Sequence, residues 1–322
     1  MSERASESSA QRPGVLSRVV RGGFVESEHY GHAVALDASG AIVWSIGDPD
    51  VTFLARSSLK PLQAVAMLEN GLELDGELLA LAAASHSGES GHRGGVRKIL
   101  AGAGLDESDL RNTPTVPWGD EAAYQWRVDG HGPESIAQNC SGKHAAMLAT
   151  CVAAGWDRAR YLDPGHPLQR AIRGAVGKLT GDGDPVVSTI DGCGAPLFSC
   201  TVAGLARAFA RIGASGKETP EGRLGAAMRA HPWWVSGTGR LEVELAAIVP
   251  GAIGKVGAEG VFAAALPDGR ALVIKVLDGA LRPLPVVVAA ALRALGESDL
   301  GSFGSVPVLG HGEPVGQIEP AG

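Results

Sequence analysis

Strand-like patterning sits at the two ends of the chain, and helical patterning fills the middle. Residues 15–47 read as β. VLSRVVRGGFV is a strand candidate, and GHAVALDASGAIVWSIG gives two strands joined by a turn at residues 37–40. Toward the other end, GVFAAAL and ALVIKVLDG flank a PDGR turn and predict a hairpin. Between them, RSSLKPLQAVAMLENG predicts a helix that Ser57 or Ser58 caps, that tolerates Pro61 in its first turn and that Gly71 ends. ELLALAAA is apolar almost all round and predicts a buried helix leading into the loop SHSGES. SGKHAAMLATCVAAG has Ser141 as cap and Gly155 as stop. PLQRAIRGAVGKLTG carries Leu168, Ile172, Val176 and Leu179 on one stripe, and APLFSCTVAGLARAFARIG reads as a further amphipathic helix. PLPVVVAAALRALG is a helix with Pro285 near its start, and no internal repeat is present. The expectation is an α+β fold: an antiparallel sheet built from both termini, with a helical lobe inserted. We expect a disordered tail at residues 1–14 and one catalytic domain at 15–322. Within it the sheet would come from about 15–56 and 250–296, and the lobe from about 57–249.

Charge narrows the partners. The net charge of -7 disfavours nucleic acid and anionic membrane, which are themselves negative. The opening MSERASESSAQRPG has no apolar core for a signal peptide, and VVVAAAL from Val286 is too short to cross a bilayer. A cytoplasmic location follows as the expectation. In that reducing compartment Cys140, Cys151, Cys193 and Cys200 read as thiols or metal ligands rather than disulfides.

Several short elements carry possible chemistry. Ser57 and Lys60 stand three apart at a helix start, on one helical face. A serine hydroxyl is a weak nucleophile until an amine made neutral by burial or by a second cation takes its proton. Arg56 supplies one such cation. The plainer reading of Ser-x-x-Lys is a cap followed by a solvated lysine. Cys140 and Cys193 lie at turns, in NCSGKH and DGCGAP, where side chains converge on a cleft. They read as a nucleophilic thiol, a metal pair or small buried groups; two thiolates and a nitrogen with an open position suit zinc. Cys151 and Cys200 fall inside apolar helices and read as core. His144 reads as structural or as a support to a ligand. SHSGE around Ser85 is a functional loop or a hydrogen-bonded turn. Lys255 lies between close glycines, which allow ligand approach, or is an exposed loop lysine. Gly237-Thr238-Gly239-Arg240 could bind an anion or merely turn the chain, and there is no nucleotide-binding motif.

Taken in order, RSSLKPLQA, ASHSGE, NCSGKHAAML, DGCGAPLF, SGTGR and K-x-GAEGV, with the opening VRGGFVESEHYGHAV, resemble the rhizobial-type L-asparaginase (asparaginase II) family. The likeness runs from about Val15 to Gly296 and is poor after Leu295; Val256 stands where some members are expected to be polar. The resemblance implies a fold similar to serine β-lactamases and serine-dependent glutaminases, a homodimer, and L-asparagine as substrate. It implies two Ser–Lys pairs, Ser57 with Lys60 and Ser85 with Lys255, beside a functional Arg56. It also implies a zinc ion on Cys140, Lys143 and Cys193, with His144 and Asp191 orienting ligands or substrate. Two other readings compete. One is another serine amidohydrolase of the same fold, a glutaminase or β-lactamase-like enzyme. The other is a non-catalytic metal-binding relative.

Overall fold

The computed structural model describes residues 12–321. Eleven strands and eleven helices make up the described chain. The strands are β1 Gly14–Arg21, β2 Phe24–Leu36, β3 Ile42–Ile46, β4 Thr52–Leu54, β5 Ser188–Ile190, β6 Pro196–Thr201, β7 Ile253–Gly257, β8 Val261–Ala265, β9 Ala271–Val276, β10 Val306–Gly310 and β11 Glu313–Pro320. The main sheet runs β10-β11-β1-β2-β9-β8-β7, with β3 also on β2, and all its pairs are antiparallel. β2 is long enough to serve three neighbours. Its first part pairs with β1, and its second part lies between β3 and β9.

The helices are α1 Lys60–Glu69, α2 Gly76–Ala82, α3 Ser90–Gly102, α4 Asp120–Val128, α5 Ser141–Ala153, α6 Pro167–Thr180, α7 Val202–Ala214, α8 Pro220–Ala230, α9 Pro232–Val235, α10 Leu241–Ile248 and α11 Leu284–Ala294. Ten of them lie between β4 and β7 in the chain, and α11 follows β9. This is the α+β arrangement expected, with both ends of the chain in one antiparallel sheet.

Strand alternation explains how the sheet holds two layers together. Successive side chains point to opposite faces. Val34, Leu36, Val261, Ala263 and Val273 join the core of the helical lobe, while Ala33, Ala35, Phe262, Ala264, Leu272 and Ile274 join a second core with α11. Both faces are covered, so β8 reads as a continuous apolar run. Full burial of Phe262 alone contributes about 2–3 kcal/mol.

Local chemistry accounts for the turns. At 37–40 the Asp37 carboxylate accepts from Ser39 N, Ser39 Oγ and Ala41 N, and Gly40 takes φ 84°. Several expectations are corrected. VLSRVVRGGFV is not one strand: Gly22 and Gly23, both at positive φ, turn the chain between β1 and β2. Neither Ser57 nor Ser58 caps a helix. Residues Arg56–Leu59 form a 3₁₀ turn, and α1 begins at Lys60 with Leu59 at its cap. Ser141 lies inside α5, where its hydroxyl donates to Ile136 O; Cys140 takes the cap position. Pro196–Thr201 is a strand, because it pairs with both β4 and β5; the helix starts only at Val202, where Thr201 Oγ1 accepts from Gly204 N. The sheet also extends past 296, since β10 and β11 pair with each other and β11 with β1. Of the tail expected at 1–14, residues 1–11 lie outside the described residues, and Gly14 already belongs to β1.

Candidate active site

The site forms where the 3₁₀ turn, α1, the 85–88 segment, α5, the 191–194 turn and β7 converge. β7 lies against the 3₁₀ turn, and Ser58 Oγ donates to Lys255 O at 3.0 Å. Gly257 permits this approach: a Cβ there would lie 2.6 Å from Ala55 O and 2.9 Å from Ser58 Oγ. Arg56 has φ 52°, a left-handed conformation that costs a non-glycine residue about 1 kcal/mol. Its guanidinium is fixed by Asp191, with Nε donating to Oδ1 at 2.8 Å, and Glu259 lies 3.8 Å away.

Lys60 joins the parts. Its side chain is buried, and its Nζ donates to Ala84 O at 2.6 Å, to Ser85 Oγ at 2.9 Å and to Cys140 Sγ at 3.2 Å. Lys60 thus reaches the second serine as well. The amine one turn after Ser57 hydrogen-bonds Ser85, and the Ser57 hydroxyl, half-buried, has no hydrogen bond among the described residues. Lys255 is not an exposed loop lysine. It lies within β7 with no exposure, donates to Val256 O at 2.7 Å, and has Glu242 Oε1 at 3.8 Å. Burial pushes its pKa down to about 7; Glu242 opposes that shift, and the nearby charge of Lys60 adds to it.

Glu242 escaped the sequence reading. It is buried in α10, and its Oε1 accepts from Val256 N at 2.9 Å. A carboxylate almost never goes inside a fold without a partner. No local pattern in LEVELAAI marks Glu242 as buried, because its partner comes from β7.

Ser85 is held by its flanks. Ser85 N donates to Val235 O and His86 N to Asn139 O. His86 is buried and its pKa lies well below the usual value, chiefly through desolvation. As a neutral ring it fits its neighbours: Nδ1 accepts from Gly88 N at 3.1 Å, and Nε2 donates to Ser141 Oγ at 2.9 Å. The 85–88 segment is thereby tied to α5.

Cys140, Lys143 and Cys193 form the other side. Lys143 Nζ donates to Cys193 Sγ at 3.2 Å, and Cys140 and Cys193 pack together with Ala195. The Cys193 thiol is pulled far below its ordinary value, first by the Cys140 sulfur packed against it and then, against burial, by the charge of Lys143. The Cys140 thiol, which donates to Asn139 Oδ1 at 3.1 Å, is pushed up by its Cys193 neighbour and by burial. Burial would lower the Lys143 amine, yet Cys193 and Cys140 outweigh it and hold it above its usual value. His144 is buried and pushed down to about 4, by desolvation and then by Lys143. Tyr161 Oη accepts from Arg111 N, so its own proton goes to His144 Nδ1 at 2.8 Å. That leaves His144 Nε2 buried, beside Cys193, with no hydrogen-bond partner. Cys151 and Cys200 sit in the main apolar core, as expected.

These residues fit the zinc ion that the resemblance implies. Cys140 and Cys193 pack together, the buried Lys143 amine touches Cys193, and sulfur with nitrogen suits zinc; His144, whose Nδ1 accepts from Tyr161, keeps its proton on Nε2 and would support Cys193 rather than hold the ion. Among the described residues there is no group of three or more His, Cys, Asp or Glu side chains placed to hold a metal; here the third donor would be a lysine.

Of the ten residues expected at the site, Lys60 touches Ser85 and Cys140, Lys143 touches Cys193, and Arg56 pairs with Asp191, so segments far apart in the chain meet here. No helix of the described chain is long and apolar enough to cross a membrane. A comparison with curated proteins found no match. Among solved structures, a β-lactamase from Mycobacterium bovis is 18% identical, with 82% of this chain and 94% of that one covered and a TM-score of 0.47. Mglu in its native form is 15% identical, with 83% and 63% covered and a TM-score of 0.41. A Bacillus glutaminase is 13% identical, with 76% and 83% covered and a TM-score of 0.33. The family model for L-asparaginase II matches residues 17–320, past the point where the sequence resemblance fades, and on that match the chain belongs to the L-asparaginase II family.

Proposed function

We propose that this protein is a cytoplasmic amidohydrolase that converts L-asparagine to L-aspartate and ammonia through an acyl-enzyme. The observation that carries the reading is the Lys60 amine. It touches the Ser85 hydroxyl and the Cys140 sulfur, and its own helix start follows Ser57. A buried amine joined to both a serine hydroxyl and a cysteine sulfur supports a catalytic reading over a purely structural one. Family membership supports an amide substrate.

Ser57 is the nucleophile in this reading. Half-buried and with no side-chain hydrogen bond among the described residues, it is the hydroxyl open to a substrate. Lys60 must first give up one of the three protons it donates to Ala84 O, Ser85 Oγ and Cys140 Sγ, and then takes the Ser57 proton as Oγ attacks the side-chain amide carbon. Backbone N–H groups at the 56–59 turn stabilise the oxyanion. The proton passes from Lys60 through Ser85, 2.9 Å away, to the leaving nitrogen, and ammonia departs. Water then attacks the acyl carbon, and Ser57 recovers its proton. Lys255, titrating near 7, tunes the charge around Ser85 and Lys60. The Arg56–Asp191 pair offers opposite charges to the α-carboxylate and α-ammonium of the substrate.

Cys140, Cys193 and Lys143 would hold zinc, which when bound would supply an electrophilic anchor for the amino-acid end of the substrate. The family resemblance extends the proposal to a homodimer. Comparing ammonia release from L-asparagine and L-glutamine with ring opening of a chromogenic β-lactam tests the substrate. The reading expects L-asparagine to lead; turnover of either other compound at a higher kcat/KM would replace it. Elemental analysis should find about one zinc per chain. Fully active protein with only a trace of zinc would remove the metal from the reaction.

A further inference from the structure

A cavity of about 750 Å³ lies beside the reactive pocket and has no part in the chemistry above. That volume is within the ~300–1,000 Å³ common for small-molecule sites. Ser87 forms part of its wall, two residues after Ser85, and Ser87 N is pinned to Ser236 O at 2.7 Å. The SGTGR loop packs directly on it. Gly237 has φ 122°, and a Cβ there would lie 2.1 Å from Ser87 Oγ, so glycine is required.

Two guanidiniums face this cavity. Arg240 lies over Trp118, with Cζ 4.1 Å from the ring centre, and its Nε donates to Ser87 Oγ at 3.3 Å. Arg93 lies over Trp126 at 4.6 Å and donates to Gly88 O. Among the described residues neither is in an ion pair. Three carboxylates share the lining. Glu89 is already used, since its oxygens accept from Thr238 N and Thr238 Oγ1, each at 2.9 Å. Asp120 and Glu121, exposed in the first turn of α4, have no hydrogen-bond or ion-pair partner among the described residues.

The cavity therefore presents unspent charge of both signs, from different elements. A simple anion would gain from Arg93 and Arg240 but be repelled by Asp120 and Glu121; a simple cation would meet the reverse. A zwitterion satisfies both. We propose that this cavity is a second binding site, for a free α-amino acid, with its carboxylate on Arg240 and Arg93 and its ammonium toward Asp120 and Glu121. The Trp118 ring, already holding Arg240 rigid, forms the apolar floor. The site shares the 85–87 segment with the reactive pocket, and the Arg240 charge is felt by Lys255, so an occupant would bear on both Ser85 and Lys255. The proposal rests on the cavity and not on the reaction assigned to Ser57.

The test is a fluorescence titration of the full-length protein with L-aspartate, which the proposed reaction does not consume. A saturable change should appear and be lost in Trp118→Phe. Its midpoint should rise at least tenfold in Arg240→Gln and in the double variant Asp120→Asn with Glu121→Gln. The double variant changes only exposed side chains, so it reads the site even if Arg240→Gln folds poorly. Acetate and methylammonium, each with half of the charge, should give no change at the same concentrations. Persistence of the signal in Trp118→Phe, a smaller shift in the double variant, or an equal response to acetate would overturn the proposal.

Discussion

Lys60 and Lys255 are the same residue type in the same degree of burial, yet their surroundings differ. Lys60 has three acceptors around its amine: a carbonyl, a hydroxyl and a sulfur. Lys255 has one carbonyl and a carboxylate at 3.8 Å, and burial pushes it down to about 7. Burial alone therefore does not set the task of a lysine. Lys60 is wired into other functional groups, while Lys255 is balanced between desolvation and one counter-charge. The first arrangement suits moving a proton between partners; the second suits setting a protonation state near neutrality.

Removing the wired lysine should do most damage. Lys60→Met should lower kcat/KM for L-asparagine about 10³-fold, as loss of a general base does, while circular dichroism stays native. Equal losses from Lys60→Met and Lys255→Met would break the contrast. Cutting one of the wires should cost less. Ser85→Ala removes the hydroxyl at 2.9 Å from Lys60 and should reduce kcat about 10²-fold with little change in KM. A KM effect alone would make Ser85 a binding group.

The smallest effect concerns Lys255. If its neutral form is the active one, kcat/KM rises as pH increases through about 7. Glu242 favours the charged form of Lys255, so Glu242→Gln should lower its pKa further. The rising limb should then move to lower pH, with the alkaline plateau nearly unchanged. A limb that moves to higher pH, or does not move, would show that Glu242 does not act on Lys255. Zinc uptake sharpens the contrast at Lys143, a third buried lysine. Its amine and the Cys140 thiol are protonated without metal, so loading should release about two protons per zinc and weaken as pH falls. Release of none would place the ion elsewhere.

What the sequence made legible was local. The 37–40 turn, the PDGR hairpin and the stripe of α6 rest on nearby residues, and all three are present. The Cys140 and Lys143 spacing puts both at the start of α5, and the glycines around Cys193 build a turn in which Gly194 takes φ 88°. What stayed hidden was set by pairing across the fold. Pro196–Thr201 has enough apolar residues for a helix, and only β4 and β5 on either side make it a strand. Spacing suggested that Lys60 serves the serine three residues before it; that its amine also reaches the loop after α2 is something no local pattern encodes. Glu242 was invisible for the same reason, because its burial depends on β7.

The proposed reaction begins with attack of Ser57 on the amide beside Lys60. The most direct measurement is ammonia release from L-asparagine by the native protein and by Ser57→Ala at matched concentration. The account predicts saturable release by the native protein, and only background from a Ser57→Ala variant that melts at the native temperature. Near-native turnover by Ser57→Ala would contradict it.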